Sequence, residues 1–237
     1  MAKPLFIWIG AGRARRRGVG PSGRALDTLA SAGLPVPPGA ILLDEFYRFA
    51  LANDVAEVSG EAIFISDAEV LLNTLTYSMR LPSLKPPAVL RPLFSSSREA
   101  DHPSVNDPSL RLAVDPAEAM PLARALGRVW SAAIPGGDAL RRDVALSHQV
   151  AARVAGTARS PGDGSGDAVS FDSATAGETV ALPRLGRWSG PDPALSPHLQ
   201  RLQRLLRGMR RTLGPGNWAV EWADDGSICW LTGVAPY

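Results

Sequence analysis

The sequence predicts an α+β protein built as two lobes. Its 237 residues are enough for one sizeable domain or for two small lobes that share a cleft. Helical patterns dominate the first half of the chain, whereas strand patterns and one long amphipathic helix dominate the second half. Hydrophobic residues make up 45% of the chain and charged residues 20%, so its segments can bury packed cores.

The first half alternates short apolar runs with segments of helical spacing. Gly33 is a natural stop for the first helix, because glycine readily adopts the left-handed conformation that ends helices. Asp44, Ser66 and Asp115 are predicted helix caps, since short polar side chains accept bonds from the free N–H groups of a first turn. The predicted helices span residues 22–32, 44–50, 66–79 and 115–130, and the predicted strands span residues 4–9, 40–43 and 89–94.

The second half is predicted to contain strands over residues 144–150, 154–158 and 168–172, followed by an irregular stretch over residues 175–197. A clear amphipathic helix then runs from Ser196 to Leu213, where leucines recur at helical spacing and Gly214 ends the pattern. The turn Asp224-Asp225-Gly226 separates two alternating runs and predicts a closing β-hairpin.

Composition excludes several classes of protein. A single cysteine, Cys229, cannot form an intramolecular disulfide or a multi-cysteine zinc site, and an inert core position is expected for it. The net charge of +2 does not demand a nucleic-acid partner, and none is expected. The sequence has no run of 18 apolar residues, so no membrane-spanning helix is predicted. At the start of the chain the basic cluster follows the apolar run, whereas a secretory signal has the reverse order, so a cytoplasmic protein is expected.

Three stretches, taken in order, resemble the nucleotide-binding region of one enzyme family. The stretch from Gly18 to Asp54 contains a glycine turn, a helix and the motif AGLPVPPGAILL. The stretch from His148 to Ala174 contains a glutamine strand and the loop SPGDGSGD, and Asn217 to Tyr237 forms the closing hairpin. Together they resemble the ATP-grasp region of pyruvate phosphate dikinases, phosphoenolpyruvate synthases and rifampin phosphotransferases.

The resemblance implies a two-lobed ATP-grasp-like fold with a central cleft, divided into an N-terminal lobe over residues 1–135 and a C-terminal lobe over residues 136–237. It places the glycine turn, one arginine and three polar side chains toward the nucleotide, and it makes Glu221 a candidate metal ligand. These candidate residues are Gly20, Ser22, Gly23, Arg91, Gln149, Asp172 and Glu221.

The sequence departs from the family where the family handles ATP. The phosphate-contacting lysine of the glycine turn falls on Ser22, and the arginine of the "vRSSa" segment falls on Phe94. Arg91 replaces that arginine only with a local insertion. In the last hairpin the metal-binding "D-x-E" pair becomes Ala219 and Glu221, and the "LQxRP" ending becomes LTGVAP.

These departures indicate a fold kept after its chemistry was lost. Phosphoryl transfer depends on positioning and on neutralising phosphate charge, and each lost charged contact costs a factor of about 10²–10³ in rate. We therefore expect a non-catalytic accessory or interaction subunit with weak or no nucleotide binding. No cofactor is expected. If the ancestral site survives, the expected cofactors are ATP and magnesium. Two alternatives remain: an ATP-binding subunit of a split phosphotransferase, completed by chains with the phosphohistidine and substrate domains, and a carrier of another small molecule.

Several motifs allow a second interpretation. The run IWIGAGRARRRG has a dinucleotide-type turn, but its third glycine is misplaced. His148 is either a structural histidine or a phosphorylated one, and Glu221 is either a metal ligand or an ordinary polar-face glutamate. His102 and His198 show no metal-ligand spacing.

Arginine-rich surfaces predict a partner. The loop from Arg13 to Arg17 and the polar face of the last helix, which has no nearby acidic residue in the sequence pattern, are either solvated or dock an acidic protein. The helix arginines are Arg201, Arg204, Arg207, Arg210 and Arg211. Another protein subunit, self or foreign, is the expected partner.

Overall fold

The computed structural model describes residues 4–80, 84–96, 101, 107–137, 139–172, 179–186 and 188–237. The chain divides into two compact units, each considered by itself. The first consists of Met1–Arg24 and Pro38–Gln149, and the second of Ala25–Pro37 and Val150–Tyr237. Both contain helix and antiparallel sheet, so the predicted α+β class is confirmed.

The described residues form twelve strands and five α-helices. The strands are β1 (Phe6–Trp8), β2 (Gly39–Leu42), β3 (Ala56–Ser59), β4 (Ala62–Ile65), β5 (Ala88–Pro92), β6 (Leu112–Val114), β7 (Val144–His148), β8 (Val154–Ser160), β9 (Asp167–Phe171), β10 (Thr179–Leu182), β11 (Trp218–Asp224) and β12 (Cys229–Pro236). The helices are α1 (Pro21–Ser31), α2 (Asp44–Ala52), α3 (Ala68–Met79), α4 (Ala119–Ser131) and α5 (Pro197–Leu213).

A five-stranded antiparallel sheet organises the first unit, in the order β1-β2-β7-β5-β6. Strands β3 and β4 form a separate hairpin, against which α4 packs. Trp130 of α4 is buried beside Phe46 and Tyr47 of α2, with ring centroids 5.9 and 5.2 Å away. The apolar residues of α4 recur at helical spacing, which explains why one face of this helix enters the core.

Three predicted caps differ from the structure. The residue that caps α3 is Asp67, whose carboxylate accepts the N–H of Val70, while Ser66 donates to the carbonyl of Asp54. Helix α4 begins at Ala119 and not at Asp115. Asp44 is the first residue of α2 and is buried, and its carboxylate accepts the N–H of Arg142, which lies 98 residues away in the sequence. Local sequence patterns predicted these helices but not the contacts at their N-termini.

The second unit is a five-stranded antiparallel sheet in the order β10-β9-β8-β11-β12, with α5 against it. The predicted stripe of α5 is confirmed, since its apolar side chains are buried; these are Leu199, Leu202, Leu205, Leu206 and Met209. The closing hairpin is also confirmed. In its turn, the Asp225 carboxylate accepts the N–H groups of Ser227 and Ile228, and Gly226 adopts a φ of +98°.

The irregular stretch predicted over residues 175–197 is only partly irregular. Residues 179–182 form β10, which pairs with β9 from Thr179 opposite Ser170 to Leu182 opposite Asp167. The strand is short and lies at the sheet edge, so it carries little of the alternation that predicts strands. His102 lies outside the described residues. Across the described part of the chain, no helix combines the length and the apolar character needed to cross a membrane.

A buried carboxylate ties the sheet of the first unit to α2. Asp143, just before β7, is fully buried and accepts the N–H of Asp44 at 2.8 Å. Arg141 also donates to it, with Nη2 3.1 Å from Oδ1. Burial raises the pKa of Asp143 from an ordinary 3.8 to about 6, although the bonds from Arg141 act in the opposite direction.

This raised pKa predicts a pH dependence of stability. Between pH 4 and pH 6 the folded protein binds the Asp143 proton more tightly than the unfolded chain does, so this carboxyl lowers the free energy of unfolding as the pH rises through that window. Two pKa units correspond to about 3 kcal/mol, which is the upper limit of the effect. The side chain in Asp143→Asn cannot titrate. The free energy of unfolding, measured with urea at several pH values between 4 and 6, should therefore fall less steeply with pH in the variant than in the wild type. Equal slopes in the two proteins would contradict the assignment.

Candidate functional site

The predicted glycine turn leads into the N-terminus of α1, in the first unit. Residues 18–23 are all buried, and Ser22 is 1% exposed. A Cβ atom at Gly20 would lie 2.5 Å from Cβ of Ser95 and 2.9 Å from Oδ1 of Asp101. A Cβ atom at Gly23 would lie 2.4 Å from Cγ1 of Val19. Both glycines therefore allow close packing of the chain on itself.

The side chain of Asp101 binds to the first turn of α1. Its carboxyl group accepts the N–H of Ser22 at 3.0 Å and the hydroxyl of Ser22 at 2.5 Å. Burial raises the pKa of Asp101, although the bonds from Ser22 act to lower it. A helix N-terminus presents free N–H groups and a partial positive charge, which suit an anionic group. Here that group is a side chain of the protein itself.

Sequence reasoning missed Asp101 because it lies 79 residues from Ser22 and belongs to none of the motifs that carry the resemblance. Ser95, which the resemblance places in the "vRSSa" segment, is also fully buried beside Gly20. Ser95 pairs by an isolated bridge with Asp101 and by another with Arg141. The turn, Ser95 and Asp101 thus form one packed cluster, which we call the α1 cluster.

The other first-unit candidates lie in the sheet or directly after one of its strands. Arg91 is in β5, opposite Ala145 of β7. Gln149 follows β7 and is exposed, and its N–H donates to the carbonyl of Pro87 at 3.0 Å. The ring Nδ1 of His148 lies 3.1 Å from the carbonyl oxygen of Lys85.

Glu221 and Asp172 lie in the second unit. Glu221 of β11 is in register with Thr157 of β8 and Gly233 of β12, and Thr157 in turn is in register with Ser170 of β9. Paired residues on neighbouring strands share a face, so these residues form one row across the sheet. Asp172 is exposed just beyond β9, two residues after Ser170, and donates its N–H to the carbonyl of Ala155.

The position at which the resemblance expects a metal-binding aspartate has a cationic neighbour. This position is Ala219, which is in register with Arg159 of β8. Arg159 is exposed and lies over the ring of Tyr237, 5.7 Å from its centroid. A guanidinium on the same face opposes binding of a cation. Within the described residues, no group of three or more histidine, cysteine, aspartate or glutamate side chains is placed to hold a metal ion.

The last helix is held by two buried carboxylates, contrary to the sequence-based expectation that no acid faces its arginines. Arg201 forms a bidentate pair with Asp224, at 2.7 and 2.8 Å. Burial acts to raise the pKa of Asp224, but the bonds from Arg201 and from the N–H of Gly226 lower it below its ordinary value. Arg210 donates to both carboxylate oxygens of Asp167, at 2.9 and 2.7 Å.

Comparisons with known proteins identify the fold. No protein-family model matches the sequence, and no curated protein matches it. The D-alanine–D-alanine ligase of Bacillus anthracis, solved in complex with ATP, has a TM-score of 0.50 and 11% identity, over 96% of this chain and 56% of its own. An ADP complex of N5-carboxyaminoimidazole ribonucleotide synthetase has a TM-score of 0.48 and 12% identity, over 96% of this chain and 47% of its own.

A RimK-domain ATP-grasp protein of Sphaerobacter thermophilus has a TM-score of 0.41 and 19% identity, over 94% of this chain and 61% of its own. This chain therefore spans less than two thirds of the length of each of these structures. Identities this low show the fold alone. The chain has an ATP-grasp fold, as the sequence predicted, while membership of the phosphoenolpyruvate synthase family stays a prediction.

The α1 cluster predicts a strong effect of one added methyl group. Gly20→Ala places Cβ within 2.5 Å of Cβ of Ser95, so Ser95 and Asp101 must move and the variant should lose about 1–3 kcal/mol of stability. Gly190→Ala is the matched control, because no atom lies within 4 Å of an added Cβ there. Urea unfolding measures both variants. A Gly20→Ala protein as stable as the control would show that the turn is open.

Proposed function

We propose that this chain is a degenerate ATP-grasp relative of phosphoenolpyruvate synthase and pyruvate phosphate dikinase that acts as a non-catalytic accessory or interaction subunit. The ordered resemblance of three stretches supports the relationship. The ATP-grasp fold supports an ancestry in ATP binding. The replacements at Ser22, Phe94 and Ala219 support loss of the chemistry.

The observation that carries this proposal is the carboxyl group of Asp101 on Ser22. The resemblance assigns this turn to nucleotide phosphates, and here the N–H and the hydroxyl of Ser22 already donate to Asp101. A phosphate must displace Asp101 before it can reach them. The side chain of Ser22 has no positive charge with which to favour that exchange. The residues at this turn therefore do not fit ATP as they are arranged.

A second candidate function is an ATP-binding subunit of a split phosphotransferase. The ATP complex of the similar ligase favours nucleotide binding by the fold in general. In this alternative, partner chains supply the phosphohistidine and substrate domains, and Glu221 is a ligand for magnesium. Turnover that appears only with a second polypeptide distinguishes this alternative from the interaction subunit.

The partner of an interaction subunit must recognise an exposed surface. Arg13, Arg15, Arg16 and Arg17 are all exposed, and none forms an ion pair with a carboxylate of the described residues. Residues 15–17 form a single 3₁₀ turn, which holds three of these arginines close together. We assign the partner contact to this arginine loop and infer an acidic protein surface opposite it.

Catalysis is tested on the purified chain. We expect no hydrolysis of ATP and no phosphoryl transfer in the presence of magnesium, because the donors of Ser22 are occupied by Asp101 and Ala219 stands at the position of the second metal carboxylate. A coupled assay for ADP release measures this. Magnesium-dependent turnover that Glu221→Gln abolishes would overturn the proposal. Calorimetry compares ATP binding to the wild type and to Asp101→Ala; binding that is not stronger in the variant would contradict the role given to Asp101.

Association is tested by co-purification from the native source. We expect a partner that is retained at low salt and released as salt rises, because exposed charges are screened over about 8 Å at physiological ionic strength. The double variant Arg15→Glu and Arg16→Glu should lose this partner and keep its thermal stability. Arg124→Glu, at another exposed position of the same unit, is the control. A partner retained by the double variant would exclude the arginine loop as its binding site.

A further inference from the structure

A cavity of about 350 Å³ opens in the second unit beside the C-terminal half of α5. The described residues that line it are Arg184, Leu185, Arg207, Arg210 and Arg211. Four of these five residues carry a guanidinium group, and none of them is acidic. A cavity of this size lies in the range that holds small ligands in proteins. Its lining is therefore suited to a small anion.

Two of the four guanidinium groups are held by one buried carboxylate. Asp167 at the start of β9 has a side chain that is 1% exposed, with Oδ2 2.7 Å from Nη1 of Arg210 and Oδ1 3.3 Å from Nε of Arg184. Arg210 also donates to the hydroxyl of Ser160 at 3.0 Å. One negative charge thus faces two positive charges, and the position of both arginines is fixed before any ligand arrives.

The other two guanidinium groups come from the outer side of α5. Nη1 of Arg207 donates to the carbonyl of Ser189 at 2.8 Å, and Arg211 is exposed four residues later on the same face of the helix. Among the described residues, neither Arg207 nor Arg211 forms an ion pair with a carboxylate. Against the single charge of Asp167, the four arginines therefore leave three positive charges uncompensated.

We propose that this cavity binds a small molecule with two or more negative charges, carried by phosphate or carboxylate groups. Each guanidinium has five N–H donors, and the bonds described here use at most two on each of Arg184, Arg207 and Arg210, so donors remain for a ligand. The planar fork of arginine matches both kinds of anionic group. The concave lining and the three fixed arginines favour a small molecule over an acidic protein surface.

Binding is tested on the full chain without magnesium, which separates it from the test of ATP turnover. Pyrophosphate and citrate are each titrated at constant ionic strength, with thermal unfolding and calorimetry as readouts. At least one of them should raise the unfolding temperature and give a measurable dissociation constant. Binding of pyrophosphate alone assigns the site to phosphate groups, and binding of citrate alone assigns it to carboxylate groups.

Arginine variants locate the site. Arg207→Gln and Arg211→Gln should each weaken binding about ten-fold or more, since each removes one uncompensated charge. Arg204→Gln is the matched control, because Arg204 is exposed on α5 but does not line the cavity, and it should leave binding unchanged. Arg184 and Arg210 are not replaced, because their loss exposes the buried charge of Asp167 and endangers folding.

Two results would overturn the proposal. The first is a failure of both pyrophosphate and citrate to bind the wild-type chain at millimolar concentration. The second is a loss of affinity in Arg204→Gln as large as the loss in Arg211→Gln. That outcome would assign binding to the general charge of the helix surface and not to the cavity.

Discussion

A carboxyl group withdrawn from water needs hydrogen-bond donors, and this requirement organises both units of the protein. Leaving an ionised carboxylate buried without partners costs several kcal/mol, and four aspartates of this chain illustrate how donors are supplied. The buried Asp143 takes them from Arg141 and the N–H of Asp44, and the half-buried Asp101 takes them from Ser22. In the second unit, Asp224 and Asp167 fix the two ends of the helix that covers the sheet.

The same requirement divides the arginines by role. Arg201 and Arg210 are used inside the second unit, where their pairs with buried carboxylates position α5. Arg204 and Arg211 lie on the same helix and are exposed. A count of arginines along the sequence treats all of them as one surface, whereas the structure assigns only part of them to a possible ligand or partner. The arginines of α5 that pair with no buried carboxylate keep a charge that a ligand or a partner can neutralise.

Local patterns in the sequence predicted much of the fold. The leucine stripe of α5 and the Asp-Asp-Gly turn of the closing hairpin depend on neighbours within a few residues, and both are confirmed. Contacts between distant residues left no such pattern. Ser22 and Asp101 are 79 residues apart, and the segment Ala25–Pro37 belongs to a unit whose remaining residues begin at Val150. For the candidate site, the sequence therefore located the glycine turn but not the side chain that occupies it.

A glycine in a motif has two physical meanings that the sequence alone does not separate. It can open space for a ligand to approach the backbone, or it can let another part of the chain approach instead. At Gly20 the space is taken by Ser95 and Asp101, and at Gly23 it is taken by Val19. The glycines of this turn are thus explained by packing of the fold, with no need for a nucleotide. This turn therefore keeps the glycines that carry the resemblance, while its interior is filled by side chains of the protein itself.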